Sequence, residues 1–236
     1  MATNQYAFFD VDETLIGLKS MFSFRDYYLR RMYGETVGKS ATQQADLHIH
    51  TQARLGVDRA SINRLFWQSF KGYKHADVQI AVSSWHNEIR KQPGYYIRPA
   101  VEALREHQRN GVEPAFVSGS SRDLLWPLAR ELNVRHVLAN QLEVADGKYT
   151  GNILAPQTIG DGKRQAIISF LRDHHANASD CFGYGDHLSD LPLLEMIGFP
   201  HVIAGSPELE ALAQQRGWPV LSNGHLNRGD ITCQFA

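Results

Sequence analysis

The sequence predicts an α/β fold: a doubly wound parallel sheet with an inserted α-helical cap. Three features predict it. A short apolar strand, residues 6–9, runs straight into Asp10 and Asp12. From Ser20 to about Gln92 the apolar spacing is helical, with no convincing strand. After Pro99 helical and strand patterns alternate. Repeated βα units imply a parallel sheet covered on both faces and wound by right-handed crossovers.

In the first strand, side chains at i and i+2 point the same way, so Asp10 and Asp12 are expected to project together from its carboxyl end. Within the insert, residues 21–29 form an aromatic-rich helical pattern and residues 40–55 a second one. Asp58 stands where an N-cap belongs, ahead of Ile62, Leu65, Phe66 and Phe70 at helical spacing. Residues 77–90 carry Ile80, Val82, Trp85 and Ile89 on a further helix. Gly17 and Pro93-Gly94 bracket the block, which divides the chain into a core of residues 1–16 and 95–236 and a cap of residues 17–94. Beyond it, helices are expected over 100–109, 122–132, 161–174, 191–197 and 207–215. Strands are expected over 114–117, 136–139, 181–184 and 201–204. Asp146-Gly147, between 142–144 and 148–150, is a hairpin signal.

Composition limits the function classes. A chain of 236 residues with 43% hydrophobic residues can build one large or two unequal domains. The formal charge is −1, and no basic stretch alternates with aromatics, so neither nucleic acid nor an anionic membrane surface is an expected partner. No apolar run approaches the ~20 residues of a membrane span. The first strand begins too early to leave room for a signal peptide, and Cys181 and Cys233 read as reduced thiols, so the expected location is cytoplasmic.

In doubly wound sheets, ligands bind in the crevice outside the carboxyl ends of the strands. The polar residues following the expected strands, or opening a helix nearby, are Asp10, Asp12 and Thr14; Ser118-Gly119-Ser120-Ser121; Gly160-Asp161-Gly162-Lys163; and Gly185-Asp186-His187 through Asp190. Together they suit phosphoryl transfer, which needs a nucleophile, a cation against spreading negative charge, and donors aimed at phosphoryl oxygens. Asp10 is the expected nucleophile, and Asp12 the group that protonates the departing alcohol and then deprotonates water. Asp186 is expected to complete a magnesium site with Asp10, and Asp12 and Asp190 are further candidate metal residues. Ser118, with the backbone N–H groups of Gly119 and Ser120, is expected to hold phosphate, with Lys163 supplying positive charge. Thr14 and Lys19 complete the candidate substrate-binding set. Duller roles exist for several: Ser118, Ser121 and Asp190 as helix caps, and Lys163 as a surface lysine. Gly185 favours Asp186, because it lets backbone approach closely beside it. An EF-hand reading fails, because Thr14 and Leu15 stand where that loop needs Asp or Asn and then Gly.

These motifs resemble the haloacid dehalogenase superfamily: D-x-D-x-T as Asp10, Asp12 and Thr14, the Ser118 strand end, Lys163, and G-D-x-x-x-D as Gly185-Asp186 and Asp190. The helical insert is similar to the type 1 cap of the phosphoserine-phosphatase-like branch. The resemblance implies a magnesium-dependent phosphatase acting on a small phosphorylated metabolite, as monomer or homodimer, because dehalogenases lack the second Asp. Where phosphoserine phosphatases carry a cap glutamate that holds an ammonium, this chain has Lys19, which disfavours phosphoserine. Two other readings use the same residues: a phosphotransferase passing the group to a sugar or alcohol, and a non-catalytic phospholigand-binding module.

Other residues invite notice. His48 and His50 at i and i+2 do not share a helix face, so they read as ordinary helix residues. His174-His175 suits a helix C-terminus. His187 stands near the expected metal site. Of Phe22, Phe24, Tyr27 and Tyr28, one or two are expected to face the cleft, with Arg25 and Arg54 as possible substrate contacts. Gly183-x-Gly185 lacks the third glycine of a dinucleotide fingerprint.

Overall fold

A computed structural model describes residues 4–223, so Cys233 lies outside the described residues. The elements run β1 (Tyr6–Phe9), α1 (Ser20–Tyr33), α2 (Glu35–Arg54), α3 (Arg59–Gln68), α4 (His75–Ile89) and α5 (Arg98–Arg109). Next come β2 (Glu113–Ser121), α6 (Arg122–Glu131), β3 (His136–Ala145), β4 (Lys148–Leu154) and α7 (Asp161–Asp173). The chain continues through β5 (Phe182–Gly185), α8 (Leu191–Leu194), β6 (Phe199–Ile203), α9 (Pro207–Arg216) and β7 (Val220–Leu221). The strands form one sheet in the order β4-β3-β2-β1-β5-β6-β7. All neighbours are parallel except β3 and β4.

Alternation along the strands builds the two faces. Ala7 and Phe9 of β1, with Phe116 of β2, join one core under α5 and α6. Tyr6 and Phe8, with Ala115 and Val117, join the other under α7, α8 and α9. A strand buried on both faces reads as a continuous apolar run, as residues 6–9 do.

The structure differs from the sequence reading at a few elements. Residues 136–139 and 142–144 belong to one strand, β3, which pairs in parallel with β2 through Asn140 and antiparallel with β4 from Gln141 onward. Polar Asn140-Gln141 interrupts the apolar pattern but not the backbone. Asp146 and Gly147 both take positive φ, as the two-residue hairpin turn expected there requires. The helix expected to reach Ile197 ends at Leu194. The two-residue edge strand β7 carries too little pattern to be read from sequence.

The insert leaves and re-enters the sheet through adjacent strands of chain. Ile16 bridges Tyr96, Gly17 N donates to Tyr95 O at 2.8 Å, and Ile97 N donates to Leu15 O at 2.9 Å. Its apolar centre, with Phe24, Phe66, Trp67 and Trp85, also includes Leu124 of α6 and Leu142 and Tyr149 of the β3–β4 hairpin. The helices therefore bury their apolar faces partly against the sheet domain. Among the described residues, no helix is long and apolar enough to cross a membrane.

Candidate active site

The strand order reverses beside β1, and the cleft opens there, at the carboxyl ends of β1, β2 and β5 beneath the insert. Asp10 follows β1 directly, its N–H donating to Tyr184 O of β5 at 2.9 Å. Asp186 follows β5, and Asp190 comes one short turn later. One carboxylate oxygen from each of Asp10, Asp186 and Asp190 lies within 4.8 Å of the others, and all three residues are buried. Lys163, in the first turn of α7, is buried with them, its Nζ 2.8 Å from Asp10 Oδ1 and 2.5 Å from Asp190 Oδ1.

Asp12 is placed differently from the other carboxylates. The chain turns after β1: Glu13 takes φ 62, and the amides of Thr14, Leu15 and Ile16 converge on Val11 O. The Asp12 side chain lines the same cleft, but its Oδ2 accepts from Ser20 Oγ at 3.1 Å instead of joining the three-carboxylate group. Its Oδ1 is buried and has no hydrogen-bond partner among the described residues. Ser20 Oγ in turn lies 2.8 Å from Ser120 Oγ, which links Asp12 to the end of β2.

Thr14 is fully buried behind the cleft, and its hydroxyl donates to Asp186 Oδ1 at 2.8 Å. That contact orients a carboxylate and leaves no surface for substrate. Gly185 has a similarly indirect role. A Cβ there would stand 2.6–2.9 Å from Asp190 side-chain atoms, so only glycine lets Asp190 fold back against the strand end.

Between Ser118 and Ser121 the register of β2 against β3 shifts, and Gly119-Ser120 bulges into the cleft wall. Bulges of this kind re-aim side chains beside active sites. The Ser120 N–H donates to Ser118 Oγ at 3.1 Å, so it is already engaged. The N-cap of α6 is Ser121, whose Oγ accepts from Leu124 N, which places the helix start beyond the bulge. Lys19 lines the cleft and bridges Glu13 at 3.3 Å.

Electrostatics follow from packing four carboxylates beside one ammonium. Burial pushes Asp10 up to about 6 against the opposing pull of Lys163, and Asp190 adds to the rise. Burial, reinforced by the charge of Asp10, pushes Asp12 up to about 7. Asp186 is raised for the same reasons, burial first and then Asp190 and Asp10. Burial opposes the charge on Lys163, but Asp10 and Asp190 more than offset it and hold its pKa above the ordinary lysine value. A buried excess of negative charge on hard oxygen donors fits a divalent cation of the magnesium class. Asp10, Asp186 and Asp190 are the side chains placed to hold one.

Several cleft residues escaped the sequence reading. Asn63 of α3 donates to Gly119 O at 2.9 Å, and its Oδ1 accepts from Asn140 Nδ2 at 2.8 Å and Gln157 Nε2 at 3.0 Å. Asn140 also donates to Gly119 O, and its Oδ1 accepts from Thr158 N. This amide cluster fastens the insert to the β2 bulge. Its signal was visible: Asn63 is a polar residue on the helical stripe of Phe66, Trp67 and Phe70. Arg59, not Arg25 or Arg54, reaches the cleft, contacting the His187 ring across its mouth. Arg25 is buried, paired with Asp46 and stacked on Phe66. Phe22 lines the cleft, whereas Phe24 and Tyr28 pack in the insert. His48 is exposed on α2, and His174 caps α7 with its Nδ1 against Phe170 O.

The family model for haloacid dehalogenase-like hydrolases matches residues 7–195. The chain is 30% identical over 221 residues to a probable phosphatase of Mycobacterium tuberculosis, covering 92% of this chain and 74% of that one. It is 24% identical over 225 residues to a histidinol-phosphatase of Neisseria meningitidis, covering 92% and 97%. A protein of unknown function from Bordetella pertussis shares the fold at a TM-score of 0.84, with 24% identity over 94% of this chain and 100% of that one. A substrate-bound phosphoserine phosphatase shares it at 0.64, with 18% identity over 89% and 91%. A match running from the first strand to α8, on a sheet whose switch point gathers the acidic residues, settles membership: the chain belongs to the haloacid dehalogenase-like hydrolase family.

Proposed function

We propose that the protein is a magnesium-dependent phosphatase that hydrolyses a small phosphomonoester through a phospho-aspartate on Asp10. The observation that carries this reading is the buried meeting of Asp10, Asp186, Asp190 and Lys163 at the switch point, with Asp12 beside them. The family and the phosphatase names of its relatives support it.

Asp10, Asp186 and Asp190 would hold the cation. When bound, it offsets negative charge on the phosphoryl oxygens and lowers repulsion toward an attacking carboxylate. An Asp10 carboxylate oxygen attacks phosphorus, the bond from phosphorus to the alcohol oxygen breaks, and Asp12 delivers its proton to that oxygen. With its pKa near 7, Asp12 holds a proton in a useful fraction of molecules at neutral pH. In the second half, Asp12 takes a proton from water, the water oxygen attacks phosphorus, and inorganic phosphate leaves with Asp10 restored. Lys163 keeps Asp10 ionised and faces the phosphoryl group, while Ser118 and Gly119 border it from β2. The insert closes the other side and excludes bulk water.

Asp10→Asn removes the nucleophile while keeping the side-chain shape. Hydrolysis of p-nitrophenyl phosphate with magnesium should fall at least about a thousandfold, with the circular dichroism spectrum and unfolding transition retained. Turnover within a few-fold of the native rate would remove Asp10 from that role.

A further inference from the structure

We propose that the phosphoester taken by this cleft carries an uncharged, apolar alcohol group, aliphatic or aromatic, and that a substrate ammonium is disfavoured. This rests on the phosphatase reading above, which fixes the phosphoryl end of the substrate at Asp10.

The cleft is strongly two-sided. Its floor is the acidic pole with Lys163, all supplied by the sheet domain. Its opposite wall comes from the insert and is built of Met21, Phe22, Ile49, Val57, Ile62 and Phe66, none of which can form a strong hydrogen bond. Ile159 faces them from the segment before α7. The polar lining residues on the insert side are Lys19, Arg59 and Asn63. The Asn63 amide is committed to Gly119, Asn140 and Gln157. Lys19 is paired with Glu13, which leaves that pair near neutral, and Arg59 at the mouth is a cation that would repel another.

Among the described residues, every carboxylate that lines the cleft belongs to the chain just after β1 or β5: Asp10, Asp12, Glu13 and Asp186. Glu13 already faces Lys19. An ammonium placed beyond the phosphoryl group would thus enter an apolar wall with no carboxylate on it, and burying an unpaired charge is costly. An alkyl or aryl group in the same place gains from leaving water, by roughly fourfold in affinity per methylene at about 0.8 kcal/mol each.

The test uses the full chain with saturating magnesium. The decisive pair is n-propyl phosphate and phosphoethanolamine, which have the same chain length and differ in a terminal methyl against an ammonium. kcat/KM should favour propyl phosphate by about tenfold or more. From methyl to n-hexyl phosphate it should rise by roughly fourfold per carbon before levelling off as the wall is covered. Ile62→Asp should narrow or reverse the propyl-over-ethanolamine preference by placing a carboxylate on that wall. Calorimetry with propylphosphonate and 2-aminoethylphosphonate reads the same preference without turnover. A flat alkyl series, or phosphoethanolamine equal to or better than propyl phosphate, overturns the proposal, as do equal affinities for the two phosphonates. If no phosphate ester is hydrolysed but propylphosphonate binds more tightly, the phosphatase reading fails and the apolar pocket stands.

Discussion

Thr14 shows how a single residue can matter to the chemistry without touching it. Its hydroxyl is fully buried and its proton is aimed at Asp186 Oδ1, a carboxylate whose pKa is raised by burial and by the neighbouring Asp190 and Asp10. Groups that orient a metal ligand from behind typically change metal affinity by about 10–100-fold when removed. Thr14→Val keeps the shape and loses the donor. Half-activation by magnesium should therefore require at least about tenfold more metal, with a smaller change in rate at saturation. A magnesium titration of activity checks this, and an unchanged midpoint would reduce Thr14 to packing. That the acidic residues and Lys163 would meet was legible in the sequence because they cluster just after apolar strands or in the first turn of a helix. The hydrogen-bond partners of Asp12 and Thr14 were not. Strand alternation predicts that Asp10 and Asp12 point together, and both line the cleft, but Asp12 accepts a hydrogen bond from Ser20 instead of joining Asp186 and Asp190, and Thr14 turns inward to Asp186.

At the level of elements, the β2 bulge and α3 form one device. Gly119 and Ser120 leave the ladder, and the carbonyl they expose receives two amide donors, Asn63 from the insert and Asn140 from β3. Asn63→Ala would leave Gly119 O with one partner and strip Asn140 and Gln157 of a shared acceptor. Leaving buried polar groups unsatisfied costs about 1–3 kcal/mol. Urea unfolding should show a loss of that order, and kcat should fall with it because the bulge borders the proposed phosphoryl site. Asn63→Asp keeps the acceptor for Asn140 and Gln157 but sets a carboxylate against the Gly119 carbonyl, and it should lower kcat more than it lowers stability. Equal, stability-only effects in both variants would make the cluster a simple tether. The helices, the hairpin and the two-faced strands were readable because periodicity records burial directly. The amide cluster was only half readable: the sequence marks Asn63 as polar on a buried stripe, but its partners lie 77 and 94 residues away. Long-range polar pairing leaves no periodic trace.

Across the whole molecule, the charge balance of the site ties stability to pH and to metal. Asp10 is raised to about 6 and Asp12 to about 7, with Asp186 raised as well, all with burial as the leading cause. Unfolded, these groups titrate near 4. Between about pH 4 and 7 the folded chain therefore holds more protons than the unfolded one, and the site's contribution to stability declines as pH rises through that window. A divalent cation held there as proposed would reverse the balance, because it would bind the ionised carboxylates and release those protons. The gain in Tm on adding magnesium should then be larger at pH 8 than at pH 5. For a chain of this size each kcal/mol corresponds to about 2–4 °C, so the difference is within reach of scanning calorimetry. Groups elsewhere in the protein shift the Tm with and without metal alike and cancel from the gain. Asp186→Asn removes one of the raised carboxylates and a proposed cation ligand together, so its magnesium gain should be small and nearly independent of pH. A native gain that is equal at the two pH values, or greater at pH 5, would mean that the acidic pole is not where the cation acts.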